Sequence, residues 1–394
     1  MVGRTATRKD ETMFLDDDLY AISQMNAIIQ TFPDACAQYT FINRGGHKFP
    51  ANFHSRLNEL IDRIASKTIT EDEDWFLGEN CPFLSTAFLG FLRGFRLDPT
   101  DICATQYLDD FRLTVSGPWY KTKPWEVRLL AAISELYYQI TGRECDEDIM
   151  RTGFQDKSAL IEKHSLPVAD FGTRRRFSYG VQDELVDYLQ ASCPSFVGTS
   201  NMHFAMLNGI KPIGTMAHEW IMAHGAAYGY RMANKMALEN WAKVYGGNLG
   251  IALTDTYGTE NFFQSFDMKL AKLFDGVRHD SGDPFEFAIE AISHYEKLGI
   301  DPMSKTVVFS DGLDVPKAVE IFNTFKGRIK MSFGIGTNLT NDVGHDPLNI
   351  VIKMTAFKPD RNSPWIPTVK LSDVPGKETG DQEEVRRCKE TINA

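Results

Sequence analysis

No run of about eighteen apolar residues occurs in the sequence, so no segment is built to cross a bilayer as a helix. Paired cysteines are missing too. The six cysteines (36, 81, 103, 145, 193 and 388) are scattered and none falls in a CxxC, so neither a disulfide frame nor a structural zinc site is expected. They read as reduced thiols in a cytoplasmic protein. Basic excess is absent: 42 Lys and Arg against 53 Asp and Glu give a net charge of -11, which repels nucleic acid and anionic membrane. The opening MVGRTATRKDETM has no apolar centre and is not expected to act as a signal peptide. There is no GxxxxGK[ST], hence no Walker loop. HEWIMAH (218–224) misses the zinc-protease pattern, because Met222 stands where a second histidine is needed and the next is His224. Internal repeats and low-complexity tracts are also lacking.

The chain has 394 residues, 43% of them hydrophobic, enough for a large domain and a smaller one, or two of similar size. MFLDDDLYAISQMNAIIQTF (13–32) reads as a helix after an acidic start, and QYTFIN (38–43) as a strand. In WEVRLLAAISELYYQI (125–140), Leu129, Ile133, Leu136 and Ile140 form one stripe of a helix with a buried face. From about 165 the pattern changes. Short β-like runs, LPVADFG, SFVGTSN, IKPIGTM, LGIALTDTY, DGVRHDSG, TVVFSDGL and IKMSFGIGTN, mostly alternate with helical segments, one of them predicted to run from 217 to about 244. That makes about seven βα units, an α/β class in which parallel strands close or nearly close into a barrel. Asp283 is placed as an N-cap, with Pro284 at N1, Glu286 at N3 and Gly299 closing that helix. Residues 1–140 are read as an N-terminal α/β domain completed by 346–394, and 141–345 as the barrel. The charged end of the chain is expected to fray.

Chemistry in β/α barrels sits at the carboxyl ends of the strands. The unusual polar clusters fall at those points: Arg174-Arg175-Arg176, Thr199-Ser200-Asn201, His218-Glu219, Asp255-Thr256, Arg278-His279-Asp280, Asp311 and Gly334–Asn338. Any one of them reads equally as a cap or a turn; their recurrence in series points to a site. The backbone N–H groups of Gly334, Ile335, Gly336 and Thr337 suit a phosphate, aided by a helix dipole, although a tight strand–helix turn explains them as well. The arginines suit carboxylates and phosphates, or form a solvated basic loop. Asp255, Asp280, Asp283 and Asp311 suit sugar hydroxyls or magnesium held through water, with Asp283 more simply a cap. His218 is either a nucleophile or acid–base group or a structural histidine, and His224 is read as structural.

GTMAHEW (214–220) resembles the signature of nicotinate phosphoribosyltransferases of the bacterial and fungal type. DDDLY, WEVRLLAAISELY, FGTRRRFS, GTSN, KPIGTMAHEW, LTDTY, RHDSGDP, SDGL, FGIGTNLTND and VKLSDVPGK agree with it in order from residue 16 to 377. The resemblance implies a type II phosphoribosyltransferase, with an N-terminal α/β domain and an irregular β/α barrel. It implies a homodimer whose active site is shared across subunits. The implied reaction joins nicotinate to phosphoribosyl pyrophosphate, giving nicotinate mononucleotide and pyrophosphate, with Mg²⁺ as cofactor. ATP is a co-substrate, hydrolysed through a phosphohistidine, which places the enzyme in the ligase class at the first step of NAD synthesis from nicotinate.

The resemblance also assigns roles. His218 is the phosphohistidine. Tyr20 resembles the aromatic that covers the pyridine ring from the neighbouring subunit, and Phe171 the one on its other face. Arg174, with Arg175 beside it, resembles a phosphate-binding arginine. Arg278 and Asp280 resemble base-side and ribose-side contacts. Asp255 matches a residue near the ribose and magnesium pyrophosphate, and Asp311 joins the substrate contacts. Gly334, Gly336 and Thr337 correspond to the holders of the 5′-phosphate. Ser200 stands where the nicotinamide enzyme has an aspartate; a hydroxyl can donate to a ring carboxylate, and Arg175 and Arg176 point the same way. Asp170 stands where the family often has Glu. The acidic DDD is explained only as a helix start. Nicotinamide or quinolinate phosphoribosyltransferases are the nearest alternatives, but quinolinate needs further cations and no such histidine. A phosphate-binding barrel isomerase or aldolase needs a Lys or Glu base at a strand end, and none stands out.

Overall fold

Segments that alternate apolar and polar residues form an antiparallel sheet, and short, more uniformly buried ones form a parallel sheet. The protein is described by a computed structural model covering residues 13–374 and 376–393; the polar stretch 1–12 lies outside the described residues. Among them the strands are β1 (Cys36–Asn43), β2 (Ile102–Tyr107), β3 (Asp110–Pro118), β4 (Val168–Asp170), β5 (Phe196–Thr199), β6 (Ile251–Leu253), β7 (Gly276–His279), β8 (Thr306–Phe309), β9 (Lys330–Ile335), β10 (Ile350–Lys358) and β11 (Ile366–Pro367).

The antiparallel sheet runs β11-β10-β1-β3-β2. Ala37, Tyr39 and Phe41 of β1 and Ile350, Ile352 and Met354 of β10 point into the core. The buried Tyr39 hydroxyl accepts from Trp119 Nε1 at 2.9 Å, which satisfies the indole without water. The helix Trp125–Thr141 buries the predicted Leu129, Ile133 and Leu136. The parallel sheet runs β5-β4-β9-β8-β7-β6, so β5 and β6 are its two edges.

The third of the seven expected strands, IKPIGTM, is not a strand. Residues 210–217 run as an irregular segment between the two edges. Ile213 N–H donates to Thr199 O at 2.9 Å on the β5 side. The Thr215 hydroxyl reaches Ile251 O at 2.9 Å on the β6 side. Pro212 has no N–H to give a ladder. This bridging by single bonds is what makes the barrel irregular. The helix expected from 217 to about 244 is two helices, His218–Tyr228 and Tyr230–Tyr245. They part at Gly229, whose φ of 84° an L side chain seldom adopts.

The tail divides its contacts. β10 pairs antiparallel with β1 from Cys36↔Lys358 to Asn43↔Ile350, with a one-residue register shift between Gln38 and Tyr39. Further on, Leu371 N–H donates to Thr256 O at 2.8 Å and Thr259 N–H to Asp373 Oδ1 at 2.8 Å, beside the parallel sheet. The end expected to fray is the helix Gln382–Asn393. It buries Val385 and Cys388, and Glu384 accepts from the Tyr230 hydroxyl at 2.6 Å.

The acidic triplet does more than start a helix. Asp18 makes no side-chain cap bond. Instead Asp16 takes both arms of Arg176, at 2.8 and 2.7 Å. Asp17 lies 3.1 Å from Arg128 Nε, and Asp18 accepts from the Ser200 hydroxyl at 2.7 Å. Asp283 caps the helix Pro284–Lys297 as predicted, accepting from Phe285 and Glu286 N–H.

Candidate active site at the ends of the parallel strands

The parallel strands β4 to β9 all deliver candidate residues at their carboxyl ends. β7 ends in Arg278 and His279, followed by Asp280. β6 leads into Thr254, Asp255 and Thr256; β8 into Ser310 and Asp311; β9 into Gly336. β4 and β5 lead into Phe171 and Ser200. His218 is not at a strand end, as the spacing suggested; it opens the helix His218–Tyr228 directly after the bridging segment.

His218 is held on both nitrogens. Nδ1 lies 3.0 Å from Thr256 Oγ1. Nε2 lies 2.9 Å from Asp280 Oδ2 and 3.6 Å from Asp255 Oδ1. Burial and the nearby Lys370 ammonium push its pKa below the usual 6.5, while both aspartates oppose that shift. The imidazole is therefore neutral at pH 7. With an ionised carboxylate at Nε2, the proton belongs there and the lone pair is on Nδ1.

Asp280 links the histidine to the arginine. Its Oδ1 accepts from Arg278 Nη2 at 2.8 Å and from Ser310 Oγ at 2.7 Å, and Ser310 Oγ accepts from Arg278 Nε at 2.7 Å. Burial raises the pKa of Asp280, but Arg278 and His218 outweigh it and hold the carboxyl well below its usual range. Asp255 accepts from Ser281 Oγ at 2.6 Å and from Lys370 Nζ at 2.9 Å on Oδ2. Its Oδ1 is buried and has no hydrogen-bond donor. His218, Asp255 and Asp280 each present one ligand atom, all within 4.8 Å of one another.

Beside this cluster is a cleft lined by Phe171, Arg174, Arg175, Arg278, Gly334, Gly336 and Thr337 among others. Seven residues singled out along 171–337 thus share one wall. Gly334 is required there: a Cβ would lie 2.3 Å from Phe171 Cδ2. Thr337 opens a helix of four residues, Thr337–Thr340, so the cationic side chains rather than a helix dipole give this cleft its charge. Burial and the neighbouring Arg174 lower Arg175 to about 10, still cationic at neutral pH. Asp311 stands at the rim, with Lys377 3.7 Å away.

Two expectations change. Arg176 is not available to a ligand, because Asp16 and Glu135 take its guanidinium in the interior, with Nε 2.7 Å from Glu135. The single proton of Ser200 goes to Asp18, so the hydroxyl does not donate freely to a ring carboxylate. Tyr20 lies under Lys123, 4.4 Å from Nζ to ring centroid, with Arg174, Glu126 and Asp18 of the same chain acting on its hydroxyl. His224 is structural: it bonds Trp220 O through Nδ1 at 2.7 Å and lies against the side chain of Asn240.

Lys370 and Lys353 escaped the sequence reading. Lys353 shares the electrostatic environment of Glu126, Lys370, Arg174 and Asp280, and its burial lowers it to about 8. The signal was a lone cation inside the apolar run IVIKM, where a side chain reaching a polar interior is the natural cause. No helix of the described residues is long and apolar enough to cross a membrane.

Comparison with known proteins identifies the family. The nicotinate phosphoribosyltransferase (NAPRTase) family matches residues 166–394, and the N-terminal domain of the same family matches residues 15–134. A nicotinate phosphoribosyltransferase of Chromohalobacter salexigens is 50% identical over 383 residues, covering 96% of this chain and 97% of the relative. One of Methanosarcina acetivorans is 43% identical, covering 94% and 96%. The crystal structure of the Porphyromonas gingivalis nicotinate phosphoribosyltransferase superposes with a TM-score of 0.95 at 42% identity, covering 97% of this chain and 99% of that one. With both sequence and fold matched along nearly its whole length, the chain belongs to the nicotinate phosphoribosyltransferase family.

Proposed function

We propose that the chain is an ATP-coupled nicotinate phosphoribosyltransferase, forming nicotinate mononucleotide and pyrophosphate from nicotinate and phosphoribosyl pyrophosphate, in the ligase class. The observation that carries this reading is Asp280, which joins His218 on one oxygen to Arg278 of the cationic cleft on the other. The histidine proposed for phosphorylation and a site suited to a polyanion are thereby joined through one carboxylate.

In this reading the neutral His218 attacks the γ-phosphorus of ATP through Nδ1, displacing the Thr256 hydroxyl and releasing ADP. Asp280 keeps the Nε2 proton and stabilises the charge that develops on the ring. The phosphoenzyme favours a closed, substrate-tight state, and hydrolysis to free phosphate resets it. Phe171 and Tyr20 flank the pyridine ring, with Tyr20 supplied across a homodimer. The ring nitrogen attacks the ribose carbon with its own lone pair as pyrophosphate leaves, so no general base is needed. Arg174, Arg175 and Arg278 stabilise the phosphate charge, and Asp311 stands near the ribose. The bare, buried Asp255 Oδ1 fits a hard cation, so Asp255 and Asp280 would hold Mg²⁺ with the substrate phosphates, whereas imidazole is a poor ligand for it. Bound magnesium would neutralise the leaving pyrophosphate.

The test is to incubate the protein with nicotinate, phosphoribosyl pyrophosphate, magnesium and ATP, and to assay nicotinate mononucleotide, with nicotinamide as control. Labelling from γ-³²P ATP should be acid-labile in the wild type and absent in His218→Asn. Equal labelling of both proteins would remove the phosphohistidine from the reading.

A further inference from the structure

Lys123 has no part in the mechanism above, yet its side chain is fully buried. Its ammonium lies 2.8 Å from Glu126 Oε2 and 2.8 Å from Glu219 Oε1. It also lies 4.4 Å from the centroid of the Tyr20 ring. A buried ammonium without partners is strongly unfavourable, and here two carboxylates and an aromatic face surround it. Glu219 directly follows His218. Gln24, one turn beyond Tyr20 on the helix Leu19–Thr31, donates to Glu219 Oε1 at 3.1 Å and accepts from Ala217 N–H at 3.0 Å. Both neighbours of His218 are therefore fastened to the helix that carries Tyr20.

We propose that Lys123 is a positioning residue that ties the phosphoryl state of His218, through Glu219, to the setting of the Tyr20 ring. This rests on the functional reading given above. Two carboxylates share one cation. Glu126 is held below its usual range although burial opposes it, while burial and the nearby Glu126 raise Glu219. The trio is thus unequally balanced, and it is sensitive to added charge. A phosphoryl group on His218 adds about two negative charges one residue from Glu219, which strengthens the pull on Lys123 from that side. The cation in contact with the Tyr20 face shifts with it. A change at the histidine so reaches, by packed and paired groups, a wall of the pyridine site of the neighbouring subunit, the one to which this Tyr20 is supplied.

The readout is the ratio of nicotinate KM without ATP to that with ATP, measured beside ³²P labelling of His218. For linked sites such ratios are typically about 5–150-fold. Glu219→Gln keeps the shape and the acceptor for Gln24 but removes the charge, so folding is expected to survive. Lys123→Met removes the cation. In both, the ratio should fall to near one while labelling persists, and Lys123→Arg should restore most of it. A merely structural pair would lower melting temperature and leave the ratio intact. Folded Glu219→Gln with the wild-type ratio overturns the proposal. A wild type that makes nicotinate mononucleotide without labelling overturns the functional reading itself, and this proposal with it.

Discussion

His218 Nε2 lies 2.9 Å from Asp280 Oδ2, and this contact fixes which nitrogen carries the proton. Asp280→Asn presents an amide that can donate to Nε2 and so reverse the tautomer. We expect phosphorylation of His218 to slow on the order of 10²–10⁴-fold. Rapid-quench labelling with γ-³²P ATP measures it, and an unchanged rate would remove Asp280 from this role. Labelling should also weaken in acid. The pKa of His218 is depressed, so the reactive neutral form persists below the usual 6.5 and is lost only as pH falls through the lower folded value.

Gly334 and Phe171 occupy touching volumes. Gly334→Ala places a Cβ 2.3 Å from Phe171 Cδ2, which the ring must vacate. Overpacking of this kind costs about 1–3 kcal/mol, seen as a lower melting temperature. Because Phe171 lines the cleft, kcat/KM for nicotinate should drop on the order of ten- to a hundredfold. Wild-type kinetics in a destabilised variant would separate Phe171 from ring binding.

Ser200→Asp sets a second carboxylate where Ser200 Oγ now gives its proton to Asp18 at 2.7 Å. Like charges so placed cost several kcal/mol, and a third carboxylate on the ligand adds to the repulsion, so nicotinate affinity should fall by about a hundredfold or more. Titration calorimetry reads this directly. Retained affinity would place the ring carboxylate elsewhere.

Asp16 and Arg176 form a bidentate pair in the interior. Asp16→Ala leaves a buried guanidinium short of a partner and should destabilise by about 3–5 kcal/mol in denaturant unfolding. The pH dependence has a definite sign. Burial opposes ionisation, but Arg176 prevails and lowers the Asp16 carboxyl from 3.8 to about 2. Its contribution is full above the unfolded pKa and is lost as pH falls from about 4 to 2. Asp16→Asn should remove that part of the acid transition; an identical acid slope would contradict it.

Much of the site was legible because the chemistry is concentrated in short strand ends. RHDSGDP supplies Arg278, Asp280 and the Asp283 cap within seven residues, and periodicity alone placed the strand before them. LTDTY and FGIGTN behave likewise. Lys353, Lys370 and Lys123 could not be found that way. Each lies in an apolar or unremarkable context, and each acquires its role from residues far along the chain, as Lys123 does from Glu219.

The sequence by itself determined the class of fold and six of the seven expected parallel strands, since these follow from local periodicity, whereas the roles expected of the polar groups at their ends rest on the family resemblance. Only the tertiary structure decided which arginine is free and which is consumed. Arg174, Arg175 and Arg176 are alike in sequence, but only Arg176 meets Asp16. The tertiary structure likewise turned the third of the seven expected strands into a bridge between sheet edges. Both outcomes depend on which distant groups satisfy a buried charge or a free backbone bond, and local sequence carries no record of that.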